Sequence, residues 1–206
     1  MSSFVALTGG PLAVPEAGAE LESVLQPLAA PSASTRVAFL VIVGLVAIER
    51  LYEMWLSRRN AMRVMARGGV EVGAGHYPVM VVLHTLFLVA AAAEVWFLAT
   101  PATAWLTLVS LVAVASTMGL RYWAILSLGD RWNTRVLFEP GKAPVRRGPY
   151  RWLRHPNYLA VVAEILFLPL IHGAWRTAVV FSVANALLLR HRIRVENDAI
   201  YGKVKP

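Results

Sequence analysis

The chain has 206 residues, of which 57% are hydrophobic and 16% charged, with a formal net charge of +8 and no cysteine. Soluble domains carry about 25% charged residues, and the apolar residues here form runs close to the ~20 that cross a bilayer. The missing cysteines exclude disulfides, thiolate nucleophiles and Cys-ligated metal centres. The positive charge lies in loops between apolar runs, which indicates a membrane topology signal and argues against nucleic-acid binding.

Residues 1–35 are rich in Ala, Pro, Ser and Gly, and we predict a flexible N-terminal tail there. Residues 36–206 are predicted to form one all-α integral membrane domain, because continuously apolar runs favour helices over an alternating barrel. About five transmembrane helices are expected. Their predicted bounds are Val37–Leu56, Pro78–Thr100, Ala102–Leu126, Pro156–Ile171 and Trp175–Leu189, the last continuing as a polar helix through Arg190–Tyr201.

Basic residues set the predicted orientation. Seventeen of the 20 lie in three segments: after the first span, between the third and fourth, and after the fifth. Five spans place all three segments on one face, and basic loops favour the cytoplasm. The N-terminus is therefore predicted outside and the C-terminus in the cytoplasm. The last two apolar segments are short, and a buried soluble hairpin is the alternative to two spans.

The densest group of chemically active side chains is GPYRWLRHPNY, residues 148–158. Pro156 suits the first turn of a helix, and the free N–H groups of such a helix start attract anions. Arg151 and Arg154 add donors for the same anion. A belt contacting lipid headgroups is the alternative; the adjacent His155 favours a functional site.

Downstream polar residues belong to the same region of the chain. Glu164 lies inside the fourth apolar segment, where a carboxylate must face protein or a wet cavity, and it shares a helix face with Asn157. Cofactor binding and pairing with an arginine are its two interpretations. Arg192 and Glu196 are i,i+4 neighbours beyond the fifth span; they form either a solvated pair or part of the same pocket.

Other charged residues favour structural roles. Glu49 and Glu53 share a face of the first helix and, once buried, need partners such as Arg121 or Arg131. His84 and Glu94 are predicted to be satisfied interhelical hydrogen-bonding groups. No metal is predicted, because the five histidines do not pair at i,i+4 and no HExxH motif is present.

The strongest pattern combines the motif with residues farther along: GPYR at 148–151, RHP at 154–156, Tyr158, Glu164, and a closing Arg192-Ile193 with Glu196. It resembles the isoprenylcysteine carboxyl methyltransferase family, mainly over residues 118–201. ERLYE at 49–53 and SRRN at 57–60 are similar to a bacterial branch of that family associated with type III polyketide synthases. Two departures stand out: Ala160 replaces a frequent Gly, and Asn197 replaces a second Glu.

The resemblance implies a multi-span fold in which the C-terminal half forms a cytoplasmic pocket for S-adenosyl-L-methionine. It implies a lipid-like acceptor from the bilayer, either a prenylcysteine-type carboxylate or an alkylpyrone or alkylresorcinol hydroxyl. A hydroxyl acceptor benefits from a base, for which His155 and Glu196 are the catalytic candidates. The cofactor-binding candidates are Tyr150, Arg154, His155, Tyr158, Glu164, Arg192 and Glu196.

Two other functions remain as alternatives. An NADPH-dependent membrane sterol-type reductase has a similar helix start, and Asn157 fits its pattern. A non-catalytic membrane scaffold or transporter explains the helices but leaves the concentration of Arg, His and Tyr at one helix start unexplained. Repeated halves and helices broken at mid-membrane, typical of transporters, are not evident in the sequence.

Overall fold

The computed structural model describes residues 32–98 and 101–200, so most of the predicted tail, residues 1–35, lies outside the described residues. The described part contains five α-helices and a two-stranded ribbon. In chain order the elements are α1 (Ala33–Ala66), β1 (Val70–Val72), α2 (Tyr77–Leu98), α3 (Ala104–Leu128), β2 (Val136–Phe138), α4 (Pro156–Leu170) and α5 (Trp175–Ile200).

Local chemistry explains where the helices begin. The Ser32 side chain accepts a hydrogen bond from the Thr35 amide at 3.2 Å, and α1 therefore starts four residues before the predicted span. Thr103 caps α3 in the same way, accepting from the Leu106 amide at 3.2 Å. Both side chains satisfy an amide that a helix leaves unpaired at its first turn.

The prediction of an exclusively helical domain is wrong in one place. β1 and β2 pair antiparallel, with Val70 opposite Phe138 and Val72 opposite Val136. Strands of three residues carry too little alternation to be seen in sequence. The ribbon joins the segment after α1 to the segment after α3, and it thereby fixes both at one end of the bundle.

The core lies toward the other end of the bundle, where α1, α2, α3 and α4 meet. Phe39, Phe87, Val95 and Leu168 are buried there. The helices also carry apolar side chains on their outer faces; Leu187, for example, is 64% exposed. Water disfavours large contiguous apolar surfaces, so these outer faces are suited to lipid.

Two segments are long and apolar enough to cross a membrane, Ala74–Leu98 and Ala104–Arg131, and α4 is a shorter apolar helix. Within residues 32–98 and 101–200 the number of helices matches the expected five, and two of them are candidate spans by length and composition. The orientation of the bundle stays a prediction.

The three basic segments lie together. Arg67, just after α1, pairs with Asp130 at 2.6 Å and with Glu139 at 3.1 Å in the segment after α3. Arg192, near the C-terminal end of α5, donates to the backbone carbonyl of Thr134 in that same segment. We call this end of the bundle, formed by residues 57–76, 129–158 and 190–198, the basic end.

Candidate functional site

The site at the basic end begins with the turn that leads into α4. Gly148 has φ +56°, and a Cβ added there would lie 1.9 Å from Ser127 Oγ. A side chain at this position is therefore excluded by both backbone conformation and space. Pro149 follows in a short 3-10 turn, and Pro156 begins α4. The turn fixes where His155 and Tyr158 enter the bundle.

Four of the predicted site residues meet directly at this helix start. The Tyr158 hydroxyl donates to Glu196 Oε2, and Arg192 Nε donates to the Tyr158 hydroxyl oxygen at 2.9 Å. The rings of His155 and Tyr158 stack with centroids 5.1 Å apart, and His155 Nδ1 lies 3.8 Å from Glu196 Oε1. The start of α4 and the end of α5 therefore bring aromatic rings and opposite charges together. We call these four residues, His155, Tyr158, Arg192 and Glu196, the Tyr158 cluster.

The other motif residues surround this cluster to different degrees. Burial raises the pKa of the Tyr150 phenol, and the negative charge of Glu196 raises this pKa further. Arg154 is exposed in the turn before α4. Asn157 lies on the first turn of α4, and its Oδ1 is buried and has no hydrogen-bond partner among the described residues.

The loop at residues 132–134, to which the sequence analysis gave no role, lies next to the Tyr158 cluster. Ser57 Oγ donates to Asn133 Oδ1 at 2.7 Å and accepts from the Thr134 amide at 3.1 Å. Asn60 Nδ2 donates to the Trp132 carbonyl at 2.8 Å. The loop is thereby held in place to offer Arg192 the Thr134 carbonyl. Ser57 and Asn60 are in the SRRN motif, which was the only sequence signal for this role.

The structure separates Glu164 from the Tyr158 cluster. Glu164 lies six residues farther along α4, about 9 Å along the helix axis, and is 3% exposed. It forms an ion pair with Arg121, and Arg50 Nη2 lies 3.6 Å from its Oε2. Of the two interpretations of Glu164, the geometry matches pairing with arginine.

Glu164 belongs to a second group of charges inside the bundle. Arg50 pairs with Glu53 at 2.7 Å and with Glu49 at 2.8 Å, while Arg121 Nη1 lies 3.5 Å from Glu53 Oε2. The predicted pairing of Glu53 with Arg121 is present. We call these five residues, Glu49, Arg50, Glu53, Arg121 and Glu164, the buried charge cluster.

A cavity of about 340 Å³ connects the two groups. Tyr158 and Arg192 line its basic end, Arg50, Glu53 and Arg121 line its wall deeper in the bundle, and most of its remaining wall is apolar. Leu51 of α1, together with Thr85 and Val89 of α2, lines the cavity and is also exposed on the outer surface. The cavity therefore reaches the lipid-facing surface between α1 and α2.

The remaining predicted polar groups are at other places. Glu94 accepts from the Thr177 amide and hydroxyl, both at 2.7 Å, and so caps the start of α5 at the end opposite the site. His84 lies in the cavity wall, where its Nδ1 is 2.8 Å from the Met80 carbonyl. Glu94 is a satisfied interhelical group, as predicted, whereas the hydrogen bond of His84 lies within α2 and does not join two helices.

Comparisons with known proteins identify the family. The family model for isoprenylcysteine carboxyl methyltransferases matches residues 108–201. An uncharacterized protein of Bacillus subtilis (strain 168), YpbQ, is 39% identical over 163 residues, which cover 79% of this chain and 96% of the relative. The chain belongs to the isoprenylcysteine carboxyl methyltransferase family.

An uncharacterized protein of Haemophilus influenzae is also similar to this member of the family, with 26% identity over 154 residues that cover 73% of this chain and 88% of the relative. No solved structure matches the chain. Membership in the isoprenylcysteine carboxyl methyltransferase family indicates a membrane-embedded methyltransferase that uses S-adenosyl-L-methionine. The matched region contains all seven predicted site residues, and the resemblance noted in the sequence is confirmed at the level of the family.

Proposed function

We propose that this protein transfers a methyl group from S-adenosyl-L-methionine to a lipid-like acceptor, with the Tyr158 cluster as the cofactor site. The observation that carries the proposal is the continuity of this cluster with a cavity that reaches the lipid-facing surface. A charged, water-soluble cofactor would reach this site from the aqueous basic end, and an apolar acceptor would reach it from the lipid-facing surface.

The chemistry of the cluster matches the cofactor. S-adenosyl-L-methionine supplies a methyl group on a positively charged sulfonium, next to an amino acid zwitterion. The aromatic faces of Tyr150 and Tyr158 attract cations, and Arg192 and Glu196 offer charges for the carboxylate and the ammonium group. Asn157 Oδ1, buried and without a hydrogen-bond partner among the described residues, is a further acceptor.

The acceptor is proposed to enter between α1 and α2. Leu51, Thr85 and Val89 form the opening there, and the apolar wall behind them suits an alkyl or prenyl tail. Both a prenylcysteine-type carboxylate and an alkylpyrone or alkylresorcinol hydroxyl carry such a tail. Placing the acceptor in a dehydrated cavity, in line with the methyl group, is the main task of the protein.

His155 and Glu196 are the proposed catalytic residues. A carboxylate acceptor is already ionised, whereas a hydroxyl acceptor must lose a proton as it is methylated. His155 Nδ1 lies 3.8 Å from Glu196 Oε1, so both candidate bases stand side by side at the cofactor site. Glu164 is left out of the proposed cofactor site because two arginines occupy it.

The orientation of the protein in the membrane is proposed from its basic segments. We propose that the basic end faces the cytoplasm, with the N-terminus outside, since the basic segments that form this end follow the positive-inside pattern. The cofactor then enters the site from the cytoplasm, and the product remains in the membrane. NADPH-dependent reduction, the earlier alternative, has no separate support in the geometry of the site.

The proposal is tested by binding and turnover of the purified full-length chain in detergent. His155→Ala and Glu196→Ala are each expected to weaken binding of labelled S-adenosyl-L-methionine and to abolish labelling of a lipid extract. His172→Ala is the matched control, because His172 lies next to Phe39 at the opposite end of the bundle, with ring centroids 5.7 Å apart. Unchanged binding and turnover in both site variants, or binding of NADPH with no binding of S-adenosyl-L-methionine, would overturn the proposal.

A further inference from the structure

The buried charge cluster holds polar atoms that the fold leaves without partners. Among the described residues, Glu53 Oε1, Arg50 Nε and Arg121 Nε are buried and make no hydrogen bond. All three residues line the cavity, and Glu53 itself is 4% exposed. A buried polar atom left unpaired is costly, so the fold alone does not satisfy the hydrogen-bonding groups of this cluster.

The position of Glu53 separates it from the proposed cofactor site. Ser57, which holds the Thr134 loop against Arg192, is four residues farther along α1, roughly 6 Å in the axial direction. Glu53 therefore lies about one helical turn deeper in the bundle than the layer of Thr134 and Arg192. A ligand that reaches Glu53 comes from the side of the cavity that opens toward lipid.

The opposite wall adds one more polar group. His84 Nδ1 lies 2.8 Å from the Met80 carbonyl, and a carbonyl only accepts, so Nδ1 carries the proton. The ring nitrogen left for a ligand is Nε2. Glu53 and His84 thus offer hydrogen-bond acceptors from two walls of one cavity, while Arg50 and Arg121 offer donors.

The charge of the cluster selects among head groups. With all five residues ionised, three carboxylates (Glu49, Glu53 and Glu164) face two guanidinium groups (Arg50 and Arg121), which leaves one negative charge in excess. An additional carboxylate in this low-dielectric site would add repulsion and desolvation cost. A neutral hydroxyl both donates and accepts, and it adds no charge.

We infer that Glu53, with Arg50 and His84, forms a polar subsite that binds a neutral hydroxyl head group of a lipid and discriminates against an anionic one. The inference rests on the proposed function only in taking this lipid to be the methyl acceptor. Glu53 is here a specificity-determining residue, which is a different role from the structural pairing expected from the sequence.

The test measures binding of two probes of matched chain length, an alkylphenol and a fatty acid, to the full-length chain in detergent. Wild type is expected to prefer the alkylphenol. Glu53→Gln is expected to weaken alkylphenol binding about tenfold, which corresponds to about 1.4 kcal/mol, and to strengthen fatty acid binding because the negative excess is removed. His84→Phe is a second variant, expected to weaken alkylphenol binding without the gain for fatty acid.

Glu94→Gln is the matched control, since it also removes a buried carboxylate but lies at the other end of the bundle; its probe preference is expected to equal that of wild type. Equal binding of the two probes by wild type, or an unchanged preference in both Glu53→Gln and His84→Phe, would overturn the inference. Binding of labelled S-adenosyl-L-methionine is measured in parallel. Normal cofactor binding with an unchanged probe preference rejects the subsite alone, whereas a shifted preference without cofactor binding rejects the methyltransferase proposal alone.

Discussion

The Tyr158 cluster and the buried charge cluster lie about two helical turns apart on α4, yet they use charge differently. In the Tyr158 cluster, His155 and Glu196 keep 19% and 23% of their side chains exposed and stand 3.8 Å apart. In the buried charge cluster, Arg121 and Glu164 are almost fully buried and directly paired. A loose, partly exposed group can exchange its partners for a ligand, while a tight buried group mainly holds helices together. The comparison predicts that stability depends on the buried cluster and cofactor binding on the Tyr158 cluster.

The largest expected effect is on stability. Arg121→Ala removes the direct partner of Glu164 and leaves Arg50 to face Glu53 and Glu164. Loss of one partner of a buried ion pair costs about 3–5 kcal/mol. Unfolding in detergent measures the change. The double variant Arg121→Met with Glu164→Leu is expected to be more stable than the single variant, because it leaves no lone carboxylate at that pair. A single variant as stable as wild type would break the comparison.

Arg192→Ala is expected to have the largest effect on cofactor binding. Arg192 contacts both the Tyr158 hydroxyl and the Thr134 carbonyl, so its loss removes a ligand-binding charge and loosens the loop. The affinity for S-adenosyl-L-methionine should fall roughly a hundredfold, about 2.7 kcal/mol. Calorimetric titration measures it, with Arg176→Ala, an exposed residue near the opposite end, as the control. Equal affinities in the two variants would contradict the assignment of the site.

Glu196→Gln sharpens the comparison with a smaller change. The amide keeps the shape of the side chain and still accepts from the Tyr158 hydroxyl, but the charge that faces His155 is lost. Cofactor affinity should fall about tenfold, about 1.4 kcal/mol, with little change in unfolding. Glu71→Gln at the ribbon, where Glu71 lies 3.3 Å from Arg135, serves as the control. A stability loss as large as that of Arg121→Ala would erase the distinction between the clusters.

The smallest effect concerns pH. Lys142 lowers the pKa of Glu139, and Arg67 lowers it further, so the folded carboxyl has a lower pKa than the unfolded one. The ion pairs therefore add stability above the unfolded value, about 4.3, and this stability is lost as the pH falls through the folded pKa. Wild type should lose under about 1 kcal/mol in that acidic window relative to Glu139→Gln. The prediction would be contradicted if the free energy of unfolding fell by the same amount with decreasing pH in wild type and in Glu139→Gln.

The helices could be predicted because each depends on local sequence. Apolar runs between basic segments gave the approximate bounds, and Pro156 marked the start of α4 correctly. The ribbon could not be predicted, since three-residue strands depend on pairing across more than 60 residues. The extension of α1 to Ala66 was missed for a similar reason, because its last turns are polar and are held by Asn60 and Arg67 through contacts with the later loop.

The site was predictable to the extent that helix periodicity relates its residues. The i,i+4 spacing of Arg192 and Glu196 places both on one face of α5, and the structure brings that face to Tyr158. Sequence spacing could not decide whether Glu164 binds a cofactor or pairs with an arginine, because Arg121 and Arg50 come from other helices. The roles of Ser57 and Thr134 likewise depend on contacts across 77 residues.

The central claim is that the cofactor lies against the Tyr158 cluster. Ultraviolet cross-linking of labelled S-adenosyl-L-methionine to the purified full-length chain, followed by peptide mapping, tests it most directly. The account predicts saturable label on residues 150–158 and on the segment that contains Arg192 and Glu196. Saturable label confined to peptides away from the basic end, such as the start of α5 around Trp175, would contradict it.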